Sequence, residues 1–242
     1  MCRHCDPDVV PAEQRIATAG PTQVGPIAKG LCGPGLLAHV VTAKFADHTP
    51  VHRLAGQLAR SGVTIASSTL GDWLFGASEL LTPLYELMHT RLLMSRVIHG
   101  DDTGVKLRVP GSARTKKAHL WVSIGDADYA SNNWDALKRY LERGFLALDN
   151  NLSERTLRVI ALGRNNWGVI GSAVGGQTAA VLYSVVGTCK HLGVDPFAYL
   201  RDALPGVFTL GEKPTAEQLL NWLPDRWLLN RMRNTSSAAA TG

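Results

Sequence analysis

The chain has 242 residues, 45% hydrophobic and 19% charged, a globular balance long enough for one or two cores and too apolar for a disordered chain. Lys and Arg number 25 against 20 Asp and Glu, and the resulting net charge of +5 suits a polyanionic partner over an acidic one. The longest apolar stretch, Thr178 to Cys189, is too short to span a bilayer, and no signal-peptide core follows Met1, so a cytoplasmic protein without a membrane partner is expected.

Cys2-Arg3-His4-Cys5 is a C-x-x-C pair with no second pair, because Cys32 and Cys189 stand alone. Structural zinc needs four ligands, so Cys2 and Cys5 form half of a site and bound Zn2+ is not expected. Residues 1–19 read as the remnant of a zinc-ribbon-like segment, and the Gly/Pro-rich stretch 20–35 as a linker. Leu36 to Ala46 and Val51 to Arg60 have helical apolar periodicity, and Ser61-Gly62-Val63 stops the second. A third helix is expected from Ser67 through Ala77, and a separate packing helix from Glu79 to Leu93.

Helix, glycine-containing turn and helix over 36–93 resemble a helix-turn-helix, in which Ser67, Ser68 and Thr69 would face the DNA major groove. A plain helical hairpin accounts for the same pattern, since these short side chains lack the Arg or Asn that most often reads bases.

Val97-Ile98-His99-Gly100-Asp101-Asp102-Thr103 reads either as a buried strand ending in two carboxylates or as a turn. A strand pair follows, Val105 to Val109 and Ala118 to Ile124, carrying Lys106, Arg108, Arg114, Lys116 and Lys117 with no acidic residue between them. Such charges can block edge aggregation or contact a phosphate backbone. Asn132-Asn133-Trp134 then opens a helix to Gly144, which leaves a sheet too thin for a chain of this length.

Asn151 and Glu154 fit the start of the next helix, as N-cap and capping-box partner, with Arg155, Arg158 and Arg164 following. A carboxylate among arginines also suits a phosphodiester-cutting site. Gly171 to Thr178 approaches P-loop spacing but has Gln177 where that site needs Lys, so nucleotide binding is rejected and the glycines read as a mobile loop before an apolar helix. Asp195-Pro196 caps a helix to Leu204, Thr215 and Gln218 form a capping box for Ala216 to Leu223, and Asn234 to Gly242 reads as a frayed tail.

Five segments together resemble the insertion-sequence 66 family of DDE transposases: His99-Gly100-Asp101-Asp102-Thr103, Asp149-Asn150-Asn151-Leu152-Ser153-Glu154-Arg155, Gly163-Arg164-Asn165-Asn166-Trp167, Gly171 to Gly176, and Gly193 to Leu200. Lys44-Phe45-Ala46-Asp47-His48 is similar to that family's helix-turn-helix segment, and the likeness runs from Cys2 to about Leu204. The resemblance implies a mostly helical α/β chain with an RNase-H-like core at 94–170, C-terminal helices over 171–210, and a terminal helix with tail over 211–242. It implies DNA cleavage and strand transfer at three carboxylates holding Mg2+ or Mn2+, on insertion-element ends and target DNA. Asp101 corresponds to the first carboxylate and Glu154 to the third. Asp102 is the neighbouring metal-ligand position, and Arg155 a phosphate contact.

The segment that carries the family's second Asp is missing here, between Trp121-to-Asp128 and Ala130-Ser131-Asn132. Neither Asp126 nor Asp128 obviously replaces that residue. An internally deleted, N-terminally truncated transposase with impaired catalysis is the expectation. The alternative is a non-catalytic DNA-binding remnant that self-associates or joins an intact transposase.

Overall fold

The computed structural model describes residues 25–27, 32–95, 98–109, 111, 112, 114–125 and 151–239. In chain order these form α1 (Pro34–Phe45), α2 (Val51–Arg60), α3 (Ser67–Leu93), β1 (Ile98–Arg108), β2 (Thr115–Gly125), α4 (Asn151–Trp167), α5 (Ala173–His191), α6 (Pro196–Thr209), α7 (Ala216–Leu220) and α8 (Pro224–Ala239). The architecture is mostly helical with a small two-stranded antiparallel sheet, as expected at the level of fold class. Cys2, Cys5, Asp126, Asp128 and the expected helix from Asn132 to Gly144 lie outside the described residues.

The core is a stack of helices. Pro34 opens α1, where a missing N–H costs nothing; α1 buries Leu37, Val40 and Val41 in the core, packs chiefly on α6, and sets Phe45 edge-on against Tyr183 of α5. Helix α3 lays Ala77, Leu81 and Leu84 along α5, which answers with Val181, Leu182 and Val185. Ser78 is buried at this contact and is satisfied twice, donating to the Phe75 carbonyl at 2.8 Å and lying 3.3 Å from Thr178 Oγ1. Tyr199 of α6 is fully buried, but its hydroxyl donates to the Trp222 carbonyl at 2.6 Å, so its polar end is not stranded. Leu157 and Ile160 of α4 join the same cluster. Within the Gly/Pro-rich stretch expected as a linker, Pro26 and Cys32 are buried and Ile27 packs beside Gly76. Residues 36–93 and 171–210 therefore share one core.

Several local expectations are corrected. The runs 67–77 and 79–93 are one 27-residue helix, because nothing between Ala77 and Glu79 caps or breaks it. Its interior Pro83 removes one backbone donor, and the turn is supported by Thr82 Oγ1 donating to the Ser78 carbonyl at 2.7 Å. The Gly171–Gly176 stretch is not a loop throughout: Ser172 caps α5 by accepting from Gly175 N–H at 3.0 Å, placing Gly175 and Gly176 in the first helical turn. Helix α6 runs to Thr209 with Pro205 inside it. Helix α8 continues to Ala239, beyond the point where a tail was expected. Helix α4 begins at Asn151, one residue earlier than a cap at Asn151 requires. Two caps stand as expected: Asp195 accepts from Phe197 and Ala198 N–H, and Thr215 with Gln218 closes a capping box.

The largest correction concerns the acidic stretch. Val97–Thr103 and Val105–Val109 are not two elements; Ile98–Arg108 is one strand, paired with β2 over eleven residue pairs. Gly100 and Gly104 take ordinary negative φ, so no turn interrupts it. The ladder to β2 decides the matter: Ala118, Leu120, Val122 and Ile124 offer a continuous apolar row opposite Val105, Thr103, Asp101 and His99. Gly125 ends β2 against the end of α3, where a Cβ would clash with Leu92 and with Ser95 just beyond it.

Candidate carboxylate site and basic hairpin

Strand alternation assigns the two neighbouring carboxylates to opposite faces of the sheet. Asp101 pairs with Val122 on the face of Thr103 and Val105, the face covered by α4. It is half-buried, and its Oδ1 accepts the Asp102 N–H at 2.8 Å. Asp102 pairs with Trp121 on the other, open face, where its Oδ2 forms a close contact with His119 Nδ1. The acids therefore stand in mid-strand, and their backbones are held by the ladder.

Arg164 joins this strand to α4. Its Nη1 donates to Thr103 Oγ1 at 3.0 Å and to the Gly104 carbonyl at 2.7 Å. The strand is held a second time beyond the helix: Gly168, at φ +70°, turns the chain, and Ile170 exchanges 2.8 Å hydrogen bonds with Lys106 and Arg108. Glu154 lies in the first turn of α4, exposed, about 60° around the helix from buried Leu157. Arg158 is exposed on the outer side, and the Arg155 side chain is outside the described residues.

A two-metal centre asks for three converging carboxylates. Among the described residues no three His, Cys, Asp or Glu side chains converge into a metal-holding group. With Asp102 turned to the opposite face and engaged by His119, the described donors do not fit such a centre. Asp101 lies on β1 and Glu154 on α4, two elements that pack together.

The basic residues of the hairpin are all exposed. Lys106 lies directly opposite Lys117, and Arg108 opposite Thr115, on the open face with Trp121 and His119. Lys116 lies across from Leu107, and Arg114 stands at the turn, its N–H donating to Ser112 Oγ at 3.1 Å. Ser67 and Ser68 are exposed and Thr69 half-buried at the start of α3, after a Ser61–Ala66 connection in which Gly62 adopts φ +86°. Ala66 is the N-cap, with no side-chain cap bond, so these hydroxyls are not used in capping.

The Lys44–His48 segment is tied into the same assembly. His48 adopts φ 57°, and its carbonyl accepts from Asn166 Nδ2 at 3.1 Å, while Lys190 Nζ donates to the Ala46 carbonyl at 2.7 Å. Burial, then the nearby Lys190 charge, holds the His48 imidazole below its ordinary pKa, with Asp47 opposing. Burial also lowers the Lys44 ammonium, and pushes the Cys189 thiol up to about 12.

Two features escaped sequence reasoning. Arg164, expected at a phosphate, spends its donors on β1, sixty residues away; nothing local signals that. Trp121 was legible, since Lys117, His119, Trp121 and Ser123 alternate as a solvent-facing row.

Comparison with known proteins adds the lineage. The model of the Transposase IS66 family matches residues 29–128 and, separately, 125–178. Three proteins of Sinorhizobium fredii (strain NBRC 101917 / NGR234) are similar in part. Uncharacterized protein y4hP is 38% identical over 104 residues, 43% of this chain and 18% of its own length. Uncharacterized protein y4jD is 35% identical over 99 residues, 41% of this chain and 19% of its length. Uncharacterized protein y4qI is 31% identical over 115 residues, 48% and 20% respectively. The matched stretch thus spans about a fifth of each relative. No solved structure matches the chain. Because the matched residues 29–178 cover most of the chain, including β1 with Asp101 and α4 with Glu154, the chain belongs to the IS66 family of transposases.

Proposed function

We propose that this chain is a transposase derivative of a bacterial insertion sequence that binds DNA through its basic hairpin and has an impaired DDE cleavage site. What supports the reading is that β1, which includes Asp101, packs against α4, which includes Glu154, and that both elements lie within the residues matched by the family. Asp101 and Glu154 are the first and third catalytic carboxylates by family descent, in a core over 94–170 read as RNase-H-like. The family match breaks into two stretches that meet at 125–128, which favours loss of the intervening segment and its second Asp. A single Mg2+ or Mn2+ held by two carboxylates lacks the bridging ligand of a two-metal reaction.

DNA binding needs no metal. Five exposed cations on the hairpin, with Arg158 on α4, supply point charges for phosphates. The α2–α3 pair acts as a helix-turn-helix in this reading, with Ser67, Ser68 and Thr69 toward the duplex. The test is salt-dependent binding of a duplex carrying the element's ends. Log affinity falls steeply with log salt, and Lys116→Glu with Arg114→Glu lowers the slope by about one per lost phosphate contact. Binding that ignores both salt and these substitutions would remove the hairpin from the interface.

A non-catalytic remnant that joins an intact transposase is the second reading. The engagement of Asp102 by His119 favours it, since that carboxylate is already occupied.

A further inference from the structure

The open face of the hairpin holds a group that phosphate binding does not require. Trp121 is 73% exposed in the middle of β2, although burying an indole is among the larger apolar gains available to a side chain. Its surroundings leave it clear. On β1 the positions before and after its partner Asp102 on this face are Gly100 and Gly104, which have no side chains to lean on the ring.

The rest of the face is cationic. Lys106 stands directly opposite Lys117, an arrangement of like charges that costs stability unless an anion lies between them. Arg108 follows on the same side of β1. The acid here, Asp102, is turned to His119 as its hydrogen-bond partner. From Trp121 the Lys pair is about 14 Å along the strand and the Arg108 position about 20 Å, the reach of a few nucleotides.

We infer that this face is a platform for unpaired DNA, on which Trp121 stacks a base while Lys106, Lys117 and Arg108 hold the backbone on the same side. The inference rests on the DNA-binding reading above and specifies the form of DNA. In a duplex the base faces are covered by their neighbours, so an indole can stack only where a strand is open. Phosphate contact alone would leave Trp121 without a role. Charge complementarity selects the backbone, and the uncrowded ring selects the exposed base.

The experiment compares the full chain with Trp121→Ala and Trp121→Phe, using a 20-nucleotide oligothymidylate and a 20-base-pair duplex in fluorescence anisotropy at one fixed salt. Trp121→Ala is expected to bind the single strand about tenfold or more weakly, with duplex affinity unchanged within about twofold. Trp121→Phe is expected to retain most of the single-strand affinity. Thermal melting of each variant confirms the fold. Single-strand binding by Trp121→Ala as tight as that of the unsubstituted chain overturns the inference while duplex binding keeps the DNA reading. Equal loss for both DNAs also overturns it, since the ring would then not distinguish open strands. Failure of the unsubstituted chain to bind either DNA removes the DNA reading itself.

Discussion

Replacing Arg164 separates two roles that its sequence position cannot distinguish. Its guanidinium makes two hydrogen bonds to β1, at 3.0 Å to Thr103 Oγ1 and 2.7 Å to the Gly104 carbonyl. Hydrogen bonds to a charged group contribute roughly 1.5–3 kcal/mol each when well buried. Arg164 is only half-buried, so solvent screening brings the pair to about 2 kcal/mol in total. Arg164→Ala is therefore expected to lower the melting temperature by roughly 4–8 °C in a chain of this size. Arg164→Lys keeps a charge but loses the forked geometry, and about half the effect is expected. Circular dichroism melts give the shift, and amide exchange locates it: β1 amides near Thr103 lose protection first if the tie is what holds strand to helix. An Ala variant that melts within about 1 °C of the parent, yet binds DNA more weakly, would refute the structural role and return Arg164 to the phosphates.

Gly206 offers a test of packing between α6 and the segment after α7. A Cβ there would lie 2.0 Å from the Trp222 ring, so Gly206→Ala gains up to about 1 kcal/mol of helix propensity but forces a clash worth roughly 1–3 kcal/mol. Net destabilisation is expected in a denaturant titration, and Trp222→Leu in the same chain should recover part of it. A third prediction concerns pH. Since the folded state holds His48 below its ordinary value near 6.5, the unfolded chain takes up the proton first. Stability is then full above that value and falls as pH drops from about 7 toward the lower folded value. His48→Asn, which tolerates the φ 57° backbone, should flatten this part of the profile. A profile identical to the parent's would show that other groups carry it.

What the sequence made legible was local. The apolar run of α1, the amphipathic run of α2, the Asp195 cap and the Thr215–Gln218 box depend on residues within a turn of one another, and the structure places them as expected. The Gly-Asp-Asp-Thr-Gly stretch was ambiguous because its glycines and aspartates favour a turn, and only the distant β2 row makes it a strand. The same limit applies to α3, where the absence of a breaker between Ala77 and Glu79 is weaker to the eye than the Ser residues that suggested a start. For the carboxylates, the alternation that turns Asp102 away from Asp101 follows from any strand through both, yet it could not be used until the strand was certain. The Glu154 assignment came through resemblance, since no periodicity links residues fifty-three positions apart.

The reading of an impaired catalytic site is tested most directly by incubating the chain with Mg2+ or Mn2+ and duplex DNA carrying the element's ends, and measuring nicking beside binding. The account predicts salt-sensitive binding with no metal-dependent nicking above background, and no difference in nicking between the chain and its Asp101→Ala or Glu154→Ala variants. Robust metal-dependent cleavage that either substitution abolishes would contradict it, and would mean that a complete cation site forms with a carboxylate outside the described residues.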